Sequence, residues 1–179
     1  MLDSTRQFIQ AMDAKDIKHS DIEVTQSGME KVTVIYTGDS IPSIRMIFFF
    51  SKDCEDVAIR VFDIVKLPEN RVEGFFKVVN EANRRFRFFK FVLDTNDNTV
   101  QAEMDAAFRT HDVGEICLEL MSRCVDICDK AYPDFMKALW ASERAPVPRS
   151  SLEEALRDRG WATNTFNTYL SRLAEKGFV

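Results

Sequence analysis

The sequence predicts an α+β protein with a small helical tail. Three observations carry this. Apolar residues alternate with period two through several short runs. Two longer runs repeat their apolar residues at helical spacing. Turn residues fall between the short runs at intervals too brief for crossover helices, which argues antiparallel pairing.

The first element is a helix. In "DSTRQFIQAMDAKDI", Phe8, Ile9 and Met12 repeat at helical spacing, with Ser4 and Gln7 placed as a capping box. "KVTVIYTGDSIPSIRMIFFFS" then changes period: Val32, Val34 and Tyr36 alternate with Thr33, Ile35 and Thr37, "TGDS" is turn chemistry, and a second strand follows. "EDVAIRVFDIV" is a third strand, so these three form an antiparallel meander.

Pro68 suits the first turn of a helix, "PENRVEGFFKVVNEANRRF", because its missing N–H would be unpaired there anyway. Val72, Phe75, Phe76, Val79 and Ala82 make its core stripe. Two strands, "FRFFKFVLD" and "TVQAEMDAAF", are joined by "TNDN". A third helix, "HDVGEICLELMSRCVDICDKAY", opens on Asp112 with Glu115 three residues on, and turns Val113, Cys117, Leu120, Cys124 and Ile127 inward. Pro133 is expected to interrupt it, "DFMKALWAS" to resume it, "APVP" to break it, and two short helices to finish the chain. The predicted organisation is an α+β domain over residues 1–131 and a helical tail over 132–179.

Composition describes an ordinary globular chain: 179 residues, 45% apolar and 30% charged. That length buries a core without needing disulfides. "MLDSTRQFIQ" has an acid near its start and no apolar run, unlike a signal peptide. No stretch approaches the ~18 apolar residues of a membrane span. The expectation is therefore a cytoplasmic protein with reduced thiols. Cys117, Cys124 and Cys128 share one helix at i, i+7 and i+11, with His111 as a conceivable fourth metal ligand, but buried helix packing is the expected role and no metal site is predicted.

The net charge of -5 is uneven: residues 137–179 hold seven Lys/Arg against five Asp/Glu, so the acidity lies in residues 1–136. Such asymmetry points to separate jobs for the two segments. His19 and His111 have no spaced partner, and the sequence contains no G-x-S-x-G, P-loop, G-x-G-x-x-G, H-E-x-x-H or C-x-x-C. "DTNDNTVQAEMD" places oxygens at Asp94, Asn96 and Asn98 as an EF-hand loop does, but Thr99 stands at its obligatory glycine and Asp105 at its bidentate glutamate. A hairpin turn accounts for the same letters. Neither a catalytic set nor a cofactor is predicted.

Residues 3–131, with "FFKVVNEANRRFRFFKFVLDTNDNTV" as the best local signal, resemble the YbjN family of bacterial proteins: a helix ending on Asn83, a strand ending in Leu93-Asp94, a polar turn and a second strand. That family is similar in fold to type III secretion chaperones, which are acidic, usually dimeric and non-catalytic. The resemblance implies a cytoplasmic protein that binds a protein partner or itself as a homodimer, and carries over no catalytic residue.

The tail from Asp134, "DFMKALWASERAPVPRSSLEEALRDRGWATNTFNTYLSRLAEKGFV", resembles the winged helix-turn-helix of the penicillinase-repressor (BlaI/MecI) family. Leu139-Trp140 would end its first helix, Ser151 and Glu154 would box the second, and "GWATNTFNTYLSRLAEKG" would be the recognition helix; the likeness stops at Phe178-Val179, where the wing would begin. Phe166, Leu170 and Leu173 bury one face at i, i+4 and i+7. Asn164, Thr165, Asn167, Thr168 and Arg172 remain as candidate DNA-binding residues, since amides pair with adenine, methyls touch thymine and all can meet phosphates. The tail's small positive balance argues against strong DNA binding, because Lys and Arg contacts to phosphate dominate affinity. The expected function is a non-catalytic interaction protein, chaperone-like or a regulatory adaptor; the alternative is a transcriptional regulator whose tail reads DNA.

Overall fold

The computed structural model of the chain describes residues 1–108 and 112–141. The chain divides into two compact units, Met1–Met136 and Lys137–Val179. The first is α+β. The elements of the described residues are α1 (Asp3–Asp13), β1 (Glu23–Val24), β2 (Glu30–Tyr36), β3 (Ile44–Phe50), β4 (Asp56–Lys66), a 3-10 turn (Glu69–Arg71), α2 (Val72–Arg85), β5 (Lys90–Asp94), β6 (Thr99–Ala107) and α3 (Val113–Ala141).

The six strands form one antiparallel sheet in the order β1-β2-β3-β4-β6-β5. The β2-β3-β4 meander is the one the alternating pattern predicts. β1, a two-residue strand, is too short to have a period and has no counterpart in the prediction. β6 pairs with β4 and leaves β5 on the edge. The register shifts between Val61 and Val65, where Asp63 adopts a left-handed φ of 57°. β4 advances four residues there while β6 advances two, from Ala102 to Val100, so two extra residues in β4 make the bulge.

One sheet face carries Val32, Val34, Met46, Phe48, Phe50, Val57, Ile59, Phe91 and Ala102, all buried. Phe8 of α1 packs on Phe48 and Phe50, with centroids 4.5 and 5.6 Å away. Phe135 of α3 meets Phe91 edge-on at 4.9 Å and Phe75 of α2 at 5.9 Å. Gly114 brings α3 close to α1: a Cβ there would lie 2.7 Å from the Gln7 carbonyl oxygen and 2.8 Å from the Ala11 Cβ.

Several local expectations are corrected. Ser4 and Gln7 make no capping box. Leu2 is the N-cap and supplies no side-chain bond. Instead the buried Glu30 of β2 accepts the Leu2 N–H at 2.8 Å, and Asp3 accepts the Gln7 amide at 2.9 Å. Burial alone would raise the Glu30 carboxyl pKa; the Leu2 N–H and the terminal ammonium 3.2 Å away outweigh it and hold it below the usual range. Pro68 lies before α2, extended, and leads into the 3-10 turn. Phe76 is 50% exposed, so the α2 stripe is narrower than predicted and rests on Phe75 and Val79. Pro133 lies inside α3, which continues to Ala141. Burial of Ala131 and Phe135 on either side of it offsets the hydrogen bond a proline removes.

The edge strand β5 is closed by a side chain. Asn83 near the end of α2 accepts the Phe91 N–H at 2.7 Å and donates to the Phe91 carbonyl at 2.9 Å, as a neighbouring strand would. Ser20 does the same for Thr33 of β2, its hydroxyl accepting the Thr33 N–H at 3.0 Å and its N–H donating to the Thr33 carbonyl at 2.9 Å. Unpaired edges invite further strands. Asn83→Ala is therefore expected to cost about 1–3 kcal/mol, the penalty for two unpaired backbone groups in a buried setting, and to promote aggregation on heating. Denaturant melts with light scattering check this; unchanged stability would show that the amide is dispensable.

Candidate functional site

A cleft of about 520 Å³ lies where the end of α1, the end of β2 and one flank of α3 meet. Its apolar lining is Ile17, Tyr36, Leu118, Met121 and Val125. Leu118, Met121 and Val125 follow one another at i, i+3 and i+7, a second apolar stripe on α3 beside the one facing the sheet. Thr37 and Ser122 add hydroxyls, and Lys15, Asp39, Asp126 and Asp129 add charge.

Asp129 shapes this cleft. Its Oδ1 accepts the backbone N–H groups of Ser40 at 2.7 Å and Ile41 at 3.0 Å, tying the β2–β3 loop to α3. Gly38 permits the approach, since a Cβ there would come within 2.1 Å of that same oxygen. The amides of Ile41 and Ser40 hold the Asp129 carboxyl below its usual range. Asp126 pairs with Lys130 at 2.6 Å, and Lys15 lies 3.6 Å from Glu115. The cleft thus presents an apolar floor under a mostly acidic rim, suited to an apolar side chain flanked by positive charge.

The sign of the Asp129 shift gives a pH prediction. A carboxyl with a depressed folded pKa stabilises the loop above its ordinary value, about 4, and that contribution is lost as pH falls through the lower folded value. Protection of the Ser40 and Ile41 amides from hydrogen exchange, corrected for intrinsic rates, is expected to fall in acid. In Asp129→Asn, which keeps an acceptor without charge, it is expected to be lower and flat with pH. Equal protection in Asp129→Ala would remove this role.

Other residues singled out in the sequence are placed as follows. Cys117, Cys124 and Cys128 are fully buried, with the Cys124 and Cys128 sulfurs 4.0 Å apart. Burial pushes the Cys117 thiol up to about 12, and the contact with Cys128 together with burial raises Cys124. All three side chains pack within the buried face of α3. His19 meets the Ser20 carbonyl oxygen at 2.8 Å and Asp13 at 3.4 Å. In the Asp94–Thr99 turn the oxygens serve the turn itself: Asp94 accepts the Asn96 N–H, side-chain amide and the Gln101 amide, and Asp97 accepts the Thr99 N–H and hydroxyl. Among the described residues no group of three or more His, Cys, Asp or Glu is arranged to hold a metal ion, and no helix is long and apolar enough to cross a membrane.

His111, Trp161 and the candidate DNA-binding residues Asn164, Thr165, Asn167, Thr168 and Arg172 lie outside the described residues. Sequence reading missed the cleft, although the second α3 stripe was its signal. No family model matches the chain, and no curated protein matches it either.

Proposed function

We propose that the chain is a non-catalytic protein-interaction protein, chaperone-like or a regulatory adaptor, that associates with a second copy of itself. The observation that carries this reading is the cleft on α3, whose apolar floor and acidic rim suit a side chain of a protein partner. Its charged groups serve architecture: Asp129 holds a loop and Asp126 pairs with Lys130. Ile35, Phe76, Phe88 and Val92 are exposed apolar residues on β2, α2, the α2–β5 link and β5. The resemblance of residues 3–131 to the YbjN family and to secretion chaperones points the same way.

Size-exclusion chromatography with light scattering tests self-association. Twice the chain mass is expected, and a strictly monomeric species at high concentration would remove the dimer from the proposal. A second reading, a DNA-reading tail, rests on the amide-rich run from Asn164 to Thr168. Titration with genomic fragments at low and moderate salt distinguishes it. Salt-dependent binding weakened by Asn167→Ala would favour the regulator; absence of binding would leave the tail without that role.

A further inference from the structure

We propose that the sheet face turned away from the helices docks a second copy of this chain, face to face, about a two-fold axis parallel to the strands. This rests on the reading above that the chain self-associates, and adds the surface and the register. Phe8 of α1 and Phe135 of α3 both pack on the face that carries Phe48, Phe50 and Phe91, and Phe75 of α2 joins them through Phe135. Alternation along the strands sends Lys31, Phe49, Ala58 and Asp105 to the other face. Among the described residues no hydrogen bond, ion pair or ring contact joins these four side chains to a helix: Lys31 meets Glu23 at 2.9 Å and Asp105 meets Arg60 at 2.7 Å, both within the sheet.

The strand register lays this face out in rows. Lys31, Phe49, Ala58 and Asp105 stand side by side across β2, β3, β4 and β6. Thr33, Ile47, Arg60 and Glu103 make the next row. The first row thus runs from a cation, through two apolar residues, to an anion. A two-fold axis parallel to the strands, over the line between β3 and β4, exchanges β2 with β6 and β3 with β4. It sets Lys31 of each copy against Asp105 of the other, Phe49 against Ala58, and Ile47 against the stem of Arg60. A two-fold axis across the strands would instead set β6 on β6, with the carboxylates of Glu103 and Asp105 against one another. The pattern is therefore complementary to itself, which is what a symmetric pair requires, and it selects the strand-parallel axis.

The reach and the area agree with this. Sheets packed face to face lie about 10 Å apart, a gap that a Lys and an Asp extending from opposite sides bridge. The Asp105 side chain is 71% exposed, and a carboxylate accepts more than one donor, so the pair between copies adds to the bond with Arg60. Five strands of about seven residues make a face of roughly 24 by 23 Å, or ~550 Å² in projection. That approaches the ~600 Å² per partner at the low end of stable complexes, and side chains standing off the sheet add to it.

Sedimentation equilibrium of the full chain reads the dissociation constant of the pair. Lys31→Glu is expected to weaken it about tenfold or more, because an acid then faces Asp105 of the second copy, and Asp105→Lys to weaken it as much, because two cations meet. Mixing the two variants in equal amounts is expected to restore pairing, since a mixed pair has opposite charges at both contacts. Mixing does not restore the bonds to Glu23 and Arg60 within each chain, so recovery reports the contact between copies alone. Should either variant fail to fold, carbodiimide cross-linking of isotope-labelled with unlabelled unsubstituted chains decides. A mixed-isotope Lys31–Asp105 amide supports the register, and Lys31 linked only to Glu23 overturns it. An unsubstituted chain that stays monomeric overturns the self-association reading and this register with it. A dimer that neither variant weakens, or variants that stay apart on mixing, overturns the register and leaves self-association standing.

Discussion

Phe8→Ala is expected to destabilise the α+β domain by about 3–5 kcal/mol, the usual cost of emptying a fully buried aromatic site. The ring is completely buried, and its two aromatic neighbours, Phe48 and Phe50, belong to a central strand. α1 is a helix of 11 residues, near the limit at which an isolated helix holds together in water. It therefore depends on what its apolar face touches, and Phe8 with Met12 supplies most of that contact. The cavity cannot close by sliding α1, because Gly114 already brings α3 against Gln7 and Ala11. The expected signature is a lower denaturation midpoint with early loss of hydrogen-exchange protection in α1. Denaturant unfolding with site-resolved exchange measures both. A loss under about 1 kcal/mol, the scale of a typical substitution, would mean that α1 is not anchored through this ring.

The sheet was legible where side chains alternate. Val32 and Val34 in β2 and the turn at Asp94–Thr99 follow directly from the letters, as does the α3 stripe from Val113 to Ile127. Glu30 shows what alternation contains but hydropathy hides: it stands in phase with Val32 and Val34, and is buried with them because the start of α1 needs an acceptor. Phe76 shows the reverse case. Its spacing fits a core stripe, yet α2 touches the domain along a narrow line at Phe75 and Val79 and leaves it in water.

What stayed illegible depends on elements distant in the chain. Nothing in "FRFFKFVLD" says that β5 lies outside β6, because strand order is decided by crossover and packing. Asn83 marked a helix end in the sequence, but its bidentate bond to Phe91 exists only once α2 folds back on the edge. The cleft is assembled from Lys15 and Ile17, Tyr36 to Asp39, and the flank of α3 from Leu118 to Asp129. Each segment alone reads as a loop or an ordinary helix face.

Phe135→Ala is expected to cost a similar amount, about 3–5 kcal/mol, through a different part of the domain. Phe135 is fully buried two residues beyond Pro133, where a helix interior has lost a backbone bond. Its ring bridges Phe91 of β5 and Phe75 of α2, and so joins three elements. Removing it is expected to release exchange protection in α2 and β5 before α1 and β3, the opposite order to Phe8→Ala. The Phe91 contact is edge-on, a geometry that adds about 0.5–1.5 kcal/mol beyond area burial. A double-mutant cycle of Phe135→Ala with Phe91→Leu is therefore expected to return a coupling of that size, since residues in contact are not additive. Zero coupling, or an identical order of protection loss in the two alanine variants, would mean that α3 is held to the sheet by its cysteine stripe and that the aromatic bridge contributes no specific attachment.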